Sequence, residues 1–400
     1  MIFEYLREPS LEDLLPSRDA FKYLERGMKC VGWIPPPKEK LYYWAYRFWS
    51  VVVFSLGGIY TQVGLYATYI FDFDSFTVNT FLSSIQSVPD ATTVPLKVLT
   101  LLPNIWRFHK AWDLLDLMDK RCTRMEERFE VHRCVVRCNT AFIIYTAVYS
   151  IFLTLTYLSS VLMGSTPWGF YNPFIDYRSS PQNLWIACTF EYFVGSAASY
   201  LDEMADLYPL MFGLILRTHI KLLTERINRL RTNSDETEDQ SYEELVNCCK
   251  DYKLIVEFCN NFRPIISVTI FLQFISIGVC LGLTLFNLLF FATFWIGLAT
   301  IAFIILLVFQ TFPFCYVCDL VEKDCEMLSI AIFQSNWVDA DKRYKQSLIY
   351  FLHRTQQPIN IKAGGKFKIC LQTNIEMAKI AFSVITFAKQ LNIMDKLQAN

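Results

Sequence analysis

Between Ile369 and Leu391 stand Gln372, Glu376, Lys379, Ser383, Thr386 and Gln390, spaced 4, 3, 4, 3 and 4 residues apart. On a helix turning about 100° per residue, all six fall within an arc of about 80°. One polar stripe therefore runs the length of an otherwise apolar helix whose other face holds Ile375, Ala378, Ala381, Phe382 and Ile385. Polar and ionisable groups in a membrane helix face a bundle interior or water. A seam of hydrogen bonds between helices of one chain is one reading. A water-filled pore lined by several copies is the other, and it accounts for all six residues. Catalysis finds less support. The histidines at 109, 132, 219 and 353 have no metal-ligand spacing and no nucleophile beside them. Cys315-x-x-Cys318 has no second pair or histidine to complete a zinc site and reads as two soft apolar side chains at a helix end. Nothing calls for a metal or other cofactor, and no aromatic interleaving of the basic stretches suggests nucleic acid.

The elements that would position this stripe follow from the distribution of charge. Of 37 Lys and Arg residues, 32 lie in four stretches, 1–47, 107–137, 217–263 and 323–368. Retained Lys and Arg mark cytoplasmic loops, so these stretches should share one side. The segments expected on the other side are nearly bare: 70–76 and the turn near Asn287 have no basic residue, and 161–183 has only Arg178. Even spacing demands a pair of spans between successive basic stretches and one more after Lys368. That makes seven, with the N-terminus cytoplasmic and the C-terminus extracellular. The composition agrees: 53% hydrophobic, 16% aromatic and only 19% charged, where a soluble domain carries about 25% charged residues. The acidic N-terminus does not resemble a cleavable signal peptide, and no exported cysteine pair suits a disulfide.

The expected fold is thus an all-α membrane protein with seven transmembrane helices and a cytoplasmic helical anchor domain. Residues 1–47 form a cytoplasmic N-terminal segment, 48–216 hold spans 1 to 4, and 217–263 form an anchor loop. Residues 264–318 hold spans 5 and 6, 319–368 further anchor helices, 369–393 the pore-lining span 7, and 394–400 an extracellular tail. The stretch from Pro264 to Cys318 has no charged side chain across 55 residues. As one helix it would reach about 80 Å, against a hydrocarbon core of about 30 Å, so it must fold as a hairpin, turning near Asn287. Span 2 holds Pro89, Asp90, Pro95 and Lys97, which a membrane tolerates only where protein or a wet cavity satisfies them. Asp202, Glu203 and Asp206 are expected where span 4 continues beyond the lipid. Glu191, an acid within that span, reads as functional, as a salt bridge or as a cytosolic-side water path.

The last 90 residues carry a further pattern: Trp337, Lys342-Arg343, Leu348, Arg354-Thr355-Gln356-Gln357-Pro358 and Ala363-Gly364-Gly365-Lys366-Phe367. This resembles the C-terminal signature of insect odorant receptors. Phe382-Ser383-Val384 stands at the family's Tyr-Ser-Tyr position, and Cys315-Tyr316-Val317-Cys318 resembles its Cys-x-Tyr-Gly with the glycine replaced. The other 310 residues agree in length, layout and inverted orientation.

The resemblance implies a tuning subunit that joins the co-receptor Orco in a heterotetramer, an odorant-gated non-selective cation channel in the dendrite plasma membrane of olfactory neurons. It places the gate at Phe387 and Leu391 with Gln390 beside them, Ser383 and Thr386 along the pore, and Trp337, Arg354, Gln356 and Pro358 in the subunit anchor. It places a small volatile odorant among Phe81, Ile85, Tyr149, Phe152, Phe190, Val194, Phe294 and Trp295. Burial of an odorant's 150–250 Å² at about 25 cal/mol per Å² yields only several kcal/mol, so one well-placed hydroxyl or indole N–H would set its orientation. A seven-span G-protein-coupled receptor is opposed by orientation and by the lack of an acidic-Arg-aromatic triplet and Asn-Pro-x-x-Tyr. A gustatory-type receptor lacks its closing pattern, and a transporter lacks internal repeats.

Overall fold

The computed structural model describes residues 4–8, 14–73, 81, 84–232, 237–357 and 359–390, and for 384, 385 and 387–390 the backbone alone. Among the described residues, ten helices carry the fold: α1 (Lys22–Cys30), α2 (Tyr43–Phe71), α3 (Val88–Leu101), α4 (Trp106–Asp119), α5 (Met125–Met163), α6 (Pro181–Asn228), α7 (Glu238–Phe290), α8 (Phe294–Gln334), α9 (Lys342–Thr355) and α10 (Leu371–Gln390). Among the described residues, the one addition to an all-α expectation is a hairpin of two-residue strands, β1 (Lys362–Ala363) and β2 (Phe367–Lys368).

Helices α2, α5, α7 and α8 are long and apolar enough to cross a membrane. The remaining three crossings are hidden from hydropathy by their own polar groups: the acids of α6, the Pro and Lys of α3, and the stripe of α10. Several helices overshoot any bilayer. At about 1.5 Å per residue, the 48 residues of α6 and the 53 of α7 run about 70–80 Å without a break. Their far halves, with the ends of α5 and α8, gather α4, α9 and the N-terminal segment into the anchor. Helix starts follow sequence: Thr237 and Gln240 form a reciprocal capping box on α7, Asp341 accepts from the Tyr344 N–H at 2.7 Å on α9, and Ser180 precedes Pro181 at the first turn of α6. Each satisfies amides that the helix itself leaves free.

Two expected boundaries move. The α7–α8 turn lies beyond Phe290 rather than near Asn287. Asn287 stays helical because its amide, 1% exposed, donates to Gln86 Oε1 at 3.0 Å. Asp202, Glu203 and Asp206 do not lie in a solvated extension. All three are at most 2% exposed inside the bundle, because α3 and α5 bring groups that bind them. Midway along α2, a π-helical segment Ser55–Tyr60 lies against α6. A Cβ at Gly57 would stand 2.7 Å from the Ala198 backbone nitrogen, so glycine is what permits this approach.

The anchor is tied by charge and by a buried polar knot. Arg226 on α6 donates to both oxygens of Glu127 on α5 and to Asp251 on α7 at 2.7 Å. Asp251 also accepts from Arg121 at 2.9 Å. Nearby, Ser17 gives its hydroxyl and N–H to Asp119, with His219 Nε2 3.2 Å from the same hydroxyl. Burial, reinforced by Arg226, lowers the His219 pKa to about 4, so this imidazole is neutral and acts as a hydrogen-bond partner. Burial outweighs the Ser17 bonds in raising the Asp119 pKa. Arg226→Ala strands the Glu127 carboxylate and leaves Asp251 to Arg121 alone, a loss of about 3 kcal/mol for a partner removed from a buried pair. The solubilised protein's unfolding midpoint should fall by several degrees, with Arg226→Lys only partly restoring it, since lysine has no bidentate fork. An unchanged midpoint in Arg226→Ala would show the anchor is held by packing alone.

Candidate functional site

A cavity of about 630 Å³ lies among α2, the residues just before α3, α5, α6, α8 and the loop 164–178, within the few-hundred to one-thousand Å³ range of small-molecule sites. Its apolar wall includes Phe152 on α5, Phe190 on α6 and Ile296, Ala299 and Phe303 on α8. Phe152 and Phe303 stack with centroids 5.3 Å apart. Its polar wall includes Ser84, Gln86 and Ser87 before α3, Thr156, Ser159 and Ser160 on α5, and Thr300 on α8. Thr300 donates within its own helix, to the Ile296 carbonyl at 2.7 Å. The Thr156 hydroxyl is buried yet has no partner.

Glu191 determines how the cavity is closed. Its carboxylate accepts the backbone N–H groups of Trp168, Gly169 and Phe170 at 2.8, 3.1 and 2.9 Å. This is neither a salt bridge nor a water path; the acid folds the loop over the cavity. Gly169 supplies the required φ of 68°, a region open to glycine at little cost. The loop is pinned again by Thr68 to the Gly169 carbonyl at 2.6 Å and by the Tyr171 N–H to the Gly64 carbonyl at 3.0 Å. Trp168 stacks on Phe170 and fits against Gly195, where a Cβ would stand 2.6 Å from the indole.

About three to four turns further along α6, near 16–22 Å by helix rise, a charged cluster crosses the bundle. Lys97, wholly buried on α3, donates to Asp202 and Asp206 at 2.7 Å each. The Tyr149 hydroxyl donates to Asp206 at 3.0 Å, and Gln310 on α8 donates to Asp202 at 3.0 Å. Gln310 also accepts from Gln273 of α7 at 2.6 Å. Five membrane helices thus meet through one polar network, and such networks are costly unless nearly every member is satisfied.

Of the residues expected to touch a ligand, Phe152 and Phe190 line the cavity. Tyr149 belongs to the charged cluster, and Val194, 1% exposed, packs with Leu65 and Phe170. Phe81 lies beside Tyr69, Phe73 and Phe286, and Ile85 is half-buried. Phe294 and Trp295 point outward, 77% and 42% exposed; their helix turns Ile296, Ala299, Thr300 and Phe303 inward instead. The loop residues Trp168 and Phe170, also lining the site, were not anticipated. Glu191 was the one signal that could have led to them, since an acid in a span needs donors.

On α10, Gln372, Glu376, Lys379, Ser383 and Thr386 are all exposed on a single chain, whereas Thr373 and Ala381 face inward. Asn374 also turns toward α8, accepting from Thr311 at 2.8 Å. Ile375, Ala378 and Phe382 are exposed as well, so helix α10 is mounted on the outside of the bundle against α7 and α8. The Ser383 and Thr386 hydroxyls bond back to the Lys379 and Phe382 carbonyls at 2.9 and 2.7 Å. The side chains of Phe387 and Gln390, and Leu391 and Pro358 altogether, lie outside the described residues. Trp337 is half-buried, its indole N–H on the Phe333 carbonyl at 2.9 Å, while Arg354 and Gln356 are exposed.

The family model described as 7tm Odorant receptor matches residues 77–382 of this chain. The chain belongs to the odorant receptor family. Odorant receptor 42b of Drosophila melanogaster is 47% identical to this receptor over 400 residues, covering all of both chains. Odorant receptor 98a of the same fly is 45% identical over the same span, again covering all of both. Among solved structures, the insect olfactory receptor OR5 from Machilis hrabei in complex with eugenol superposes with a TM-score of 0.76. That match covers 94% of this receptor and all of OR5 at 15% identity, so it speaks for the seven-helix fold. The receptor is a multi-pass membrane protein whose function is odorant reception, and its family consists of receptors rather than enzymes.

Proposed function

We propose that this receptor binds a small volatile odorant in the 630 Å³ cavity and, assembled with the co-receptor Orco as a heterotetramer, opens a non-selective cation channel lined by α10. In this reading the N-terminus and the anchor are cytoplasmic, the C-terminus is extracellular, and the receptor sits in the dendritic plasma membrane of olfactory neurons. The observation that carries the ligand reading is the Thr156 hydroxyl, buried and unpartnered on a residue lining a cavity that has one aromatic and aliphatic wall. A volatile ester, ketone or alcohol offers an acceptor for that hydroxyl and apolar surface for Phe152, Phe190 and Phe303. The solved relative in complex with eugenol makes a small oxygenated ligand a fitting class. The channel reading is supported by the exposed polar stripe of α10, which no helix among the described residues covers. The anchor's exposed Arg354 and Gln356 and its half-buried Trp337 suit contact with a neighbouring subunit, where Arg and Trp are enriched.

Co-expression with Orco in a cell lacking native odour receptors, recording current against a panel of volatiles, tests the assignment directly. Absence of odorant-gated current at normal surface expression would overturn it. For Thr156→Val, the midpoint for oxygenated ligands should rise about fivefold, the worth of one hydrogen bond near 1 kcal/mol, with little change for matched hydrocarbons. Equal shifts for both ligand types would remove Thr156 from the orienting role.

A further inference from the structure

A second cavity, about 580 Å³, lies away from the odorant site, where α1 meets α2, α5 and α6. Its walls are apolar, including Val53 on α2, Phe142 and Ile143 on α5, and Ala197 and Met204 on α6. Gly27 brings α1 close enough to close one side, since a Cβ there would stand 2.6 Å from Met204 Sδ. Two polar atoms among the lining residues are buried without partners. Glu203 is 0% exposed; its Oε1 accepts from Thr146 at 2.5 Å, and its Oε2 has nothing. Tyr23 is 5% exposed, and its hydroxyl has no partner either. A buried polar atom left unpaired costs about 1–3 kcal/mol, and here an acceptor and a hydroxyl belong to residues that line the same apolar chamber.

We infer that this chamber is a binding site for a membrane sterol, its hydroxyl donating to Glu203 and accepting from Tyr23. A hydroxyl can do both at once. A protonated amine can only donate, which leaves the Tyr23 O–H proton without an acceptor. A phosphate or fatty-acid head would put an anion against the Glu203 carboxylate. The rim directs entry from the bilayer: Trp49 and Phe193 are 50% and 67% exposed on the outer faces of membrane-crossing helices, with Arg26 and Cys30 on the anchor side. An amphiphile with a small polar head and a broad rigid apolar body fits that entrance, its head passing inward toward the two unpaired atoms.

The test uses the full-length receptor in phosphatidylcholine nanodiscs with a photoreactive cholesterol analogue, mapping adducts by peptide mass spectrometry. Adducts should appear in residues 142–146 and 193–204, and excess cholesterol should reduce them at least fivefold. Cholestane, which has the same ring system without the hydroxyl, should compete at least tenfold less well. Glu203→Leu and the space-filling Ser196→Phe should each cut labelling there at least fivefold, while Phe152→Ala in the odorant cavity should leave it unchanged. If either variant fails to give a monodisperse receptor, competition on the native protein decides. Equal competition by cholestane, or no competed adduct in those segments, overturns the assignment.

Discussion

Lys97→Met should leave little folded receptor. Its ammonium is the one cation on Asp202 and Asp206 in a wholly buried setting, and removing one partner of such a group costs about 3–5 kcal/mol. That is a large share of the 5–15 kcal/mol by which a domain is stable. Fluorescence-detected size exclusion after detergent extraction should show the monodisperse peak largely lost. The triple variant Lys97→Met, Asp202→Asn, Asp206→Asn should recover much of it, because amides can share hydrogen bonds without net charge. A native peak and midpoint for Lys97→Met alone would mean the cluster does not hold the bundle.

Glu191→Ala should separate ligand binding from folding. Three loop amides lose their acceptor, and each is worth about 1–3 kcal/mol if left dry. Water can reach the loop from its outer surface and repair part of this, so the bundle should persist while the closed form of the loop does not. With Orco present, odorant midpoints should rise tenfold or more, a change of about 1.4 kcal/mol per decade, at normal surface expression. Glu191→Gln should fall between, since one oxygen still accepts but without charge. Native midpoints in Glu191→Ala would show that the loop closes without the carboxylate.

The number and order of the crossings were legible because they depend on a property summed over many residues, the segregation of Lys and Arg. The polar stripe of α10 was legible because helical periodicity is local. What escaped was pairing at a distance. Lys97 and Asp202 are 105 residues apart, and a linear reading counts each as an isolated cost, which hid that the acids are buried inside the bundle. Asn287 suggested a turn for the same reason: its partner Gln86 is 201 residues away. Aromatic residues of the cavity were half legible. Phe152 and Phe190 line the cavity, but choosing Phe294 and Trp295 over Phe303 required knowing how α8 is rotated, which a run of apolar residues on every face does not encode.

The clamp on Lys97 also constrains how the chain is made. When the segment around Pro89, Pro95 and Lys97 leaves the ribosome, its carboxylate partners on α6 are still 105 and 109 residues from synthesis. At about 5–20 residues per second, the lysine waits on the order of 5–20 seconds. A lone lysine within a span is disfavoured, by up to about 2.5–3.5 kcal/mol on insertion scales, so this segment gains from its later partners what lipid alone does not supply. Its integration is completed by a helix born later. The second crossing therefore depends on the insertion machinery holding it until α6 arrives, and nascent chains truncated before Asp202 should remain exposed to membrane quality control.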